Sequence, residues 1–362
     1  MTFSDPTIEA AKTQTTQGLV LQGYCNSILQ QPFVDFSEFT NLSKIQTNIN
    51  DGLQNAKDNA KTYLNGIQNN IISNINSISN FYNLYSAVPT VLPPDATEAQ
   101  WLSILQAMKS QTDTFIEASD LVIIDLGNLN SNINADVAFF NKTINDLNAI
   151  VGGNDGMLAS LDKDIERLDK QIAGTIAGTV ISGLAIVGGA VMIGVGAIGS
   201  PFTAGGSTPL IAGGVAVVLV GTAGTVASAL TLKGLYDAKA SVLQQKSSLT
   251  SEVNLAEGIK SGYSSLGFGA SEAVTATSQM KNAWVSINSD LDNLSLNLQN
   301  GIISTDSVRQ LFLTAANETI PFILEDVSLI KQQMAGVNVS VSAEDMNVGE
   351  YAVHLAEQAT AA

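Results

Sequence analysis

The chain has 362 residues, with 16 lysines and arginines against 33 aspartates and glutamates, and its formal net charge at pH 7 is −17. This acidity opposes nucleic-acid binding and initial docking on anionic lipid, because few cations are available to neutralise phosphates. The only cysteine, Cys25, excludes an intramolecular disulfide, and the only histidine, His354, argues against a histidine-based metal or catalytic site. We therefore expect neither enzymatic activity nor a cofactor.

Apolar residues recur at every third or fourth position over residues 42–85 and again over residues 101–150. This spacing predicts two helices that each have one apolar face. At 1.5 Å per residue the helices would be about 65 Å and 70 Å long, and helices of that length form rods. The proline-rich segment 88–94 ends the first helix, and Thr97 with Gln100 forms a capping box that opens the second.

The elements on either side are also predicted to be helical. A weaker apolar pattern over residues 7–31 precedes the two long helices, and a third long helix begins at Leu158. That helix runs without a proline into an uncharged stretch, residues 171–232. The helix that returns at Lys233 also follows without a breaker, and further helices reach Met334.

The tail beyond Met334 is different, because valine alternates with polar residues at Val337, Val339 and Val341. The sequence does not indicate which helices this tail packs against. The chain as a whole predicts an all-α fold, an elongated bundle of long helices with a head that carries an apolar helical hairpin. We expect residues 1–170 and 233–362 to form the tail bundle and residues 171–232 to form the head.

Residues 171–232 contain no aspartate, glutamate, lysine, arginine or histidine. They comprise a first apolar arm (172–199), a turn (200–209) and a second apolar arm (210–232). A helix needs about 20 apolar residues to cross a bilayer of roughly 30 Å, and each arm is long enough. Two prolines bracket the turn, so the stretch predicts a helical hairpin whose uncharged tip can pass through lipid.

Large apolar side chains of the hairpin are the candidates for membrane insertion. They are Ile176, Val180, Ile181, Leu184, Ile186, Val187, Val191, Met192, Ile193, Val195, Ile198, Phe202, Leu210, Ile211, Val215, Val217, Val218, Leu219, Val220, Val226 and Leu230. Among them Phe202 lies at the tip, where an aromatic ring is suited to anchor at the membrane interface. Small residues share one side of the first arm and would let helices approach closely in lipid. They are Gly174, Gly178, Ser182, Gly189 and Gly196.

Other interpretations of this stretch are less well supported. Gly194, Gly196 and Gly199 match the dinucleotide pattern G-x-G-x-x-G, but no acidic residue follows at the required distance, and Pro201 interrupts the helix that should come next. The arms also suit the buried core of a large protein, or two permanent transmembrane helices of a structural or adaptor protein. The acidic surface and the long water-facing helices favour conditional insertion over both. A colicin-like bacteriocin would need receptor-binding and translocation regions that this sequence does not show.

A bundle of very long helices with one apolar hairpin, over residues 171–232, between its third and fourth helices resembles the ClyA-type α-pore-forming toxins. More narrowly, it is similar to the B component of tripartite toxins, the group that includes haemolysin BL and non-haemolytic enterotoxin of Bacillus and related Aeromonas and Serratia systems. The resemblance rests on architecture over nearly the whole chain. It implies no enzymatic activity, two partner components of the A and C types, secretion, and lysis of a target cell by an oligomeric pore.

The polarity of the arms limits what this subunit can contribute to such a pore. The first arm offers Thr175, Thr179 and Ser182 near its base, and then Ile186 and Ile193 on the same face. A ring of such hairpins would be lined largely by apolar atoms, and apolar constrictions dewet. We therefore expect this subunit to supply the lipid-facing wall and another component to make the lumen wet.

The arms must be hidden in water, because leaving ten large aliphatic side chains exposed forgoes about 15–30 kcal/mol. We expect a monomer in solution whose arms fold back into the head and swing out at the target-cell membrane to extend the third and fourth helices. The first residues, MTFSDPTIEAAK, contain neither a basic nor an apolar signal region. We therefore expect secretion without a recognisable signal peptide.

Overall fold

The structure of the chain is a computed structural model that describes the long helices almost completely and the apolar stretch in part. The described ranges are 6–31, 33–36, 40–151, 163–164, 166–168, 170–172, 174–175, 191–195, 215–219, 230–231, 233–235, 237–239, 241–242, 251–335 and 337–341, together with 353–354 and 357.

Long helices dominate these ranges. They are α1 (Pro6–Gln30), α2 (Ser43–Thr62), α3 (Gln68–Val91), α4 (Glu98–Val151), α5 (Ser251–Gln299), α6 (Thr305–Thr314) and α7 (Ile320–Ala335). A 3-10 turn (Thr40–Leu42) precedes α2, and π-helical segments join α2 to α3 (Tyr63–Ile67) and α6 to α7 (Ala315–Thr319). With 54 residues, α4 is about 81 Å long at 1.5 Å per residue. The predicted all-α bundle of long helices is confirmed, apart from three short strands described below.

The boundary between α3 and α4 agrees with the sequence signals. Pro89 lies in the last turn of α3, which ends two residues later because proline cannot donate a helical hydrogen bond. The backbone N–H of Thr97 donates to Oε1 of Gln100 at 2.8 Å, and the N–H of Gln100 donates to Oγ1 of Thr97 at 3.4 Å. These reciprocal bonds are the predicted capping box at the start of α4.

Helix α1 is buried on most of its sides. Leu19, Leu21 and Cys25 are fully enclosed, and so are the polar residues Thr15 and Thr16. A helix that is covered all round has no solvent-facing stripe, which explains why its apolar pattern is weak in the sequence. Burial also raises the pKa of the Cys25 thiol well above its usual value, so this cysteine is a packing residue.

The chain divides into two compact units. The first comprises Met1–Thr15, Asn69–Asp125 and Ala273–Ala335, and the second comprises Thr16–Gln68, Leu126–Glu272 and Gly336–Ala362. In the first unit an aromatic cluster forms the core. The indole of Trp284 lies 5.6 Å from the ring of Phe81 and 4.8 Å from that of Phe115, and Tyr85 stacks on Phe312 at 4.1 Å. These contacts join α5 and α6 to α3 and α4.

In the second unit a partly buried polar network joins α2, α4 and α5. The hydroxyl of Tyr263 donates to Oδ2 of Asp136 at 2.7 Å, and Nδ2 of Asn59 donates to the Tyr263 oxygen at 2.9 Å. The ring of Phe140 packs on Tyr263 with 5.7 Å between centroids. Burial, and then the bond to Asp136, raise the pKa of Tyr263, so its phenol remains a hydrogen-bond donor. A satisfied network of this kind specifies which helix faces meet.

Candidate membrane-inserting hairpin

The helix that leads into the apolar stretch is described up to Thr175, at the start of the first arm. Helical residues are found at 163–164, 166–168, 170–172 and 174–175. Oγ1 of Thr175 donates to the carbonyl oxygen of Gln171 at 2.9 Å, and Nη1 of Arg167 donates to Oε1 of Gln171 at 3.1 Å. Gln171 is thus in helical geometry with described neighbours on both sides, as the sequence predicted.

Ion pairs mark both ends of the uncharged stretch. The ammonium of Lys170 lies 2.8 Å from the carboxylate of Glu166 on the entering helix, and that of Lys233 lies 2.7 Å from Asp237 on the returning helix. Each pair spans one helical turn and is partly exposed, so it adds only about 0.3–0.5 kcal/mol to helix stability. Their positions matter more than their energies. The two pairs lie at the two ends of the uncharged segment, and a segment without charge can enter lipid at lower cost.

Two parts of the apolar stretch form β-strands. Strand β1 (Val191–Val195) pairs antiparallel with β2 (Val215–Leu219), and β2 pairs antiparallel with β3 (Val337–Val341), which gives the sheet order β1-β2-β3. The predicted helical hairpin is therefore wrong for β1 and β2 in this structure. The physical reason lies in their sequences, VMIGV and VAVVL. Valine and isoleucine lose rotamer freedom in a helix and fit a strand well, and Gly194 further weakens a helix.

The pairing of β1 with β2 is centred on residue 205. Val191 lies opposite Leu219 and Ile193 lies opposite Val217, so the partners are equally distant from residue 205 along the chain. A helical hairpin that turned over residues 200–209 would have the same centre. The strand pairing and the predicted turn therefore share one centre.

Strand β3 is the part of the site that sequence analysis did not place. It pairs with β2 along its whole length, with Val339 opposite Val217 at the centre. The alternation of valine at positions 337, 339 and 341 is the period of a strand, so the element itself carried a signal. No sequence signal indicated that β2 would be the partner of β3, because pairing between distant segments leaves no local pattern.

The structure describes only some of the candidate insertion residues. Val191, Met192, Ile193 and Val195 lie in β1, and Val215, Val217, Val218 and Leu219 lie in β2, whereas Gly174 and Leu230 are helical. The others lie outside the described residues: Ile176, Val180, Ile181, Leu184, Ile186, Val187, Ile198, Phe202, Leu210, Ile211, Val220, Val226, Gly178, Ser182, Gly189 and Gly196. Leu230 is 54% exposed. Among the described helices, none is both long and apolar enough to cross a membrane.

Comparison with known proteins identifies close relatives. The family model for Bacillus haemolytic enterotoxin (HBL) matches residues 6–175. Soluble AhlB of the tripartite α-pore-forming toxin AHL from Aeromonas hydrophila is 42% identical, with a TM-score of 0.89 over 97% of this chain and 99% of that one. Soluble SmhB of the tripartite toxin Smh from Serratia marcescens is 35% identical, with a TM-score of 0.87 over 98% and 99%. The AhlB pore matches with 37% identity and a TM-score of 0.64 over 92% and 98%. Comparison with curated proteins gives no match.

The helical fold and these relatives define the class of this protein as an α-pore-forming toxin. More particularly, the chain belongs to the family of B components of tripartite α-pore-forming toxins, with AhlB and SmhB. It is a pore-forming toxin subunit, and the resemblance seen in its sequence is confirmed. Its structure is closer to soluble AhlB, with a TM-score of 0.89, than to the AhlB pore, with 0.64.

Proposed function

We propose that this subunit keeps its apolar hairpin as part of a sheet in water and converts it to two transmembrane helices at a target membrane. The observation that carries the proposal is a mismatch within one segment. The described residues at both ends of residues 171–232 are helical, whereas β1 and β2 inside it are strands, and β2 also pairs with the tail strand β3. As helices, both arms would be long enough to cross a bilayer.

The sheet is suited to water and unsuited to lipid. Among the described strands, β1 and β3 are the edges, and each edge presents backbone groups that need a hydrogen-bond partner. Water can supply that partner, but the hydrocarbon core cannot, and each unsatisfied group there costs several kcal/mol. A helix satisfies its backbone within its own segment. Insertion therefore requires β2 to leave β3 and both arms to become helical.

The conversion joins elements that are already in place. The entering helix is described up to Thr175 and the returning helix from Leu230 onward, so the arms need only extend existing helices. Extension avoids the unfavourable nucleation step of a new helix. Glycines in the arms lower helix stability by up to about 1 kcal/mol each, which eases refolding between the two forms.

The partners follow from the polarity of the hairpin. AhlB and SmhB are each part of a tripartite toxin. For this chain we propose two further components, of the A and C types, and a hetero-oligomeric pore in the target-cell membrane. The present subunit forms the lipid-facing wall, because the inward face of its first arm becomes apolar beyond Ser182. A partner with an amphipathic element lines the lumen.

The same proposal covers the remaining properties. The protein is secreted as a monomer, acts without catalytic chemistry or a cofactor, and reaches its membrane by diffusion. The tail bundle consists of residues 1–170 and 233–362, and residues 171–232 form the inserting head with the large apolar side chains named above. The small residues Gly174, Gly178 and Ser182 lie where the extended arms approach each other.

Dye release from lipid vesicles tests this function. We expect full release only when the protein is combined with its A- and C-type partners, and little stable conductance from the protein alone. High-conductance channels from the protein alone would contradict the proposal that this subunit forms the wall and a partner lines the lumen.

Fractionation tests the alternative of a permanently anchored adaptor protein. A toxin component is monomeric in plain buffer, whereas an integral protein requires detergent to stay in solution.

A further inference from the structure

A basic face lies on the helix that enters the apolar stretch. Its cations are Lys163, Arg167 and Lys170, and their spacing of four and three residues places them on one side of a helix. Leu168 and Ile172, which the helical spacing places on the other side, are only 3% and 2% exposed. The helix is therefore buried on the side away from these cations, and the basic face is directed to solvent.

The cations of the basic face are available to an anionic ligand. Lys163 makes no ion pair or hydrogen bond with another described residue. The guanidinium of Arg167 lies 3.4 Å from the carboxylate of Asp164, and the ammonium of Lys170 lies 2.8 Å from that of Glu166. Both pairs join exposed side chains within one helical turn, and pairs of this kind contribute little. A phosphate that approached this face could therefore replace the carboxylates.

The basic face borders an open depression of about 440 Å³. The described residues that line it are the three cations together with Glu166 and Gln171. Three cations and one carboxylate leave a positive excess, so an anion complements the depression. Nη1 of Arg167 donates to Oε1 of Gln171 at 3.1 Å, and this bond orients the guanidinium. A guanidinium presents five N–H donors in one plane, and pairs of these donors match two oxygens of a phosphate.

The position of the basic face in the chain indicates the source of the phosphate. Lys170 is the last charged residue before the uncharged stretch, residues 171–232. At 1.5 Å per residue, Arg167 is about 4.5 Å and Lys163 about 10.5 Å farther from that stretch along the helix axis. The headgroup region adds roughly 5–7 Å to each side of the hydrocarbon core. With residues 171–232 in the core, Lys170 and Arg167 would lie among the headgroups and Lys163 at their outer edge.

We propose that the basic face binds the phosphates of membrane phospholipids and so anchors the inserted hairpin at the level of the headgroups. The choice of a lipid phosphate rests on the proposed function, because only insertion brings the basic face to the headgroups. Every glycerophospholipid carries this phosphate, so the site does not require a lipid of net negative charge. Anchoring is a later step than initial docking on anionic lipid, which the net charge of −17 opposes.

Dye release from two kinds of uncharged vesicle, measured with the A- and C-type partners present, tests the proposal. One kind is made of dioleoylphosphatidylcholine. The other is made of digalactosyldiacylglycerol with the same acyl chains, which has a sugar headgroup and no phosphate. The variant Arg167→Gln with Lys170→Gln removes two cations from the basic face. With phosphatidylcholine we expect it to raise the protein concentration for half-maximal release about fivefold, the scale of two partly exposed ionic contacts. With the galactolipid we expect no change.

Lys61→Gln with Lys142→Gln is the matched control. Lys61 pairs with Asp58 three residues away, and Lys142 pairs with Asp146 four residues away. The control therefore removes the same charge from the same two kinds of exposed pair, but outside the basic face. It should leave the half-maximal concentration unchanged with both lipids.

The comparison between the two lipids decides the outcome. An equal shift with both lipids, or no shift with phosphatidylcholine, would overturn the phosphate site. Any lipid preference of the partner components cancels, because only this subunit differs between the wild type and the variant. Both of these outcomes require release by the wild-type protein and leave the proposed pore intact. Failure of the wild type with its partners to release dye from either vesicle would instead contradict the proposed function, and the lipid site with it.

Discussion

A disulfide between β2 and β3 would test whether the hairpin must leave the tail. Val217 and Val339 are register partners, so Val217→Cys with Val339→Cys places two thiols opposite each other. Antiparallel partners have Cα atoms about 4.5–5.5 Å apart, within the roughly 4.4–6.8 Å that a disulfide spans. The native Cys25 is fully buried and will not compete for the new thiols. We expect the oxidised variant to fold and to lose its lytic activity.

The magnitude follows from the geometry of the bond. A disulfide holds its two Cβ atoms about 3.5–4.5 Å apart, so β2 cannot leave β3 while the bond is intact. The same bond closes a loop of about 120 residues in the unfolded chain, which should stabilise the fold against global unfolding by up to about 5 kcal/mol. The bond also prevents β2 from moving with the second transmembrane helix at all. Lysis should therefore fall to the background of the assay.

Haemolysis by the oxidised protein with its partner components, before and after addition of a reductant, provides the measurement. Reduction should restore lysis. The matched control is Ile193→Cys with Val217→Cys, which links β1 to β2 and leaves β3 free. Both positions are equally distant from residue 205, and glycine-rich arms can approach closely, so this bond suits the inserted hairpin as well. Wild-type lysis by the oxidised β2–β3 variant would refute the requirement for separation.

Three other changes test the hairpin, the polar network and the aromatic core around Tyr85. Val218→Asp should abolish dye release, because a carboxylate at the bilayer centre costs about 3 kcal/mol per subunit, and undiminished release would contradict insertion of β2. Tyr263→Phe should lower the free energy of unfolding in urea by about 1–3 kcal/mol, because Asp136 loses a buried donor, whereas Lys142→Ala at an exposed ion pair should change it little. Burial raises the pKa of Tyr85 to about 12, so above pH 10 the unfolded chain loses a proton that the native phenol keeps. Stability should then fall between pH 10 and 12 by up to about 1.4 kcal/mol per pH unit from this group, and Tyr85→Phe should make that fall shallower.

The helical bundle could be read from the sequence because its signals are local. The apolar stripes of residues 42–85 and 101–150 fall every three or four positions, which is the spacing of one face of a helix, and they became α2, α3 and α4. The hydrogen bonds of a helix join residues four positions apart. The apolar pattern and the hydrogen bonds therefore both involve residues three or four positions apart in the sequence. The capping box at Thr97 was predictable for the same reason, since both of its bonds lie within four residues.

The capacity of residues 171–232 to enter a membrane was also determined by the sequence alone. It depends on the absence of charge over a sufficient length, and both are properties of composition. The flanking helices around Gln171 could be anticipated because no proline interrupts them. The burial of α1 could not, because a helix covered on all sides lacks the polar face that makes a stripe visible.

Only the tertiary structure decided that residues 191–195 and 215–219 are strands. A valine-rich arm can form its backbone hydrogen bonds within itself, as a helix, or with a neighbouring strand. Local propensity does not decide between helix and strand, because strand propensity depends strongly on the surroundings. The choice depends on β3, which the chain brings to β2 from its distant tail. Tertiary structure likewise brought Tyr263 of α5 to Asp136 of α4 and Asn59 of α2. Both arrangements depend on contacts between residues far apart in the chain, whereas the spacing of residues along the chain records only contacts between near neighbours.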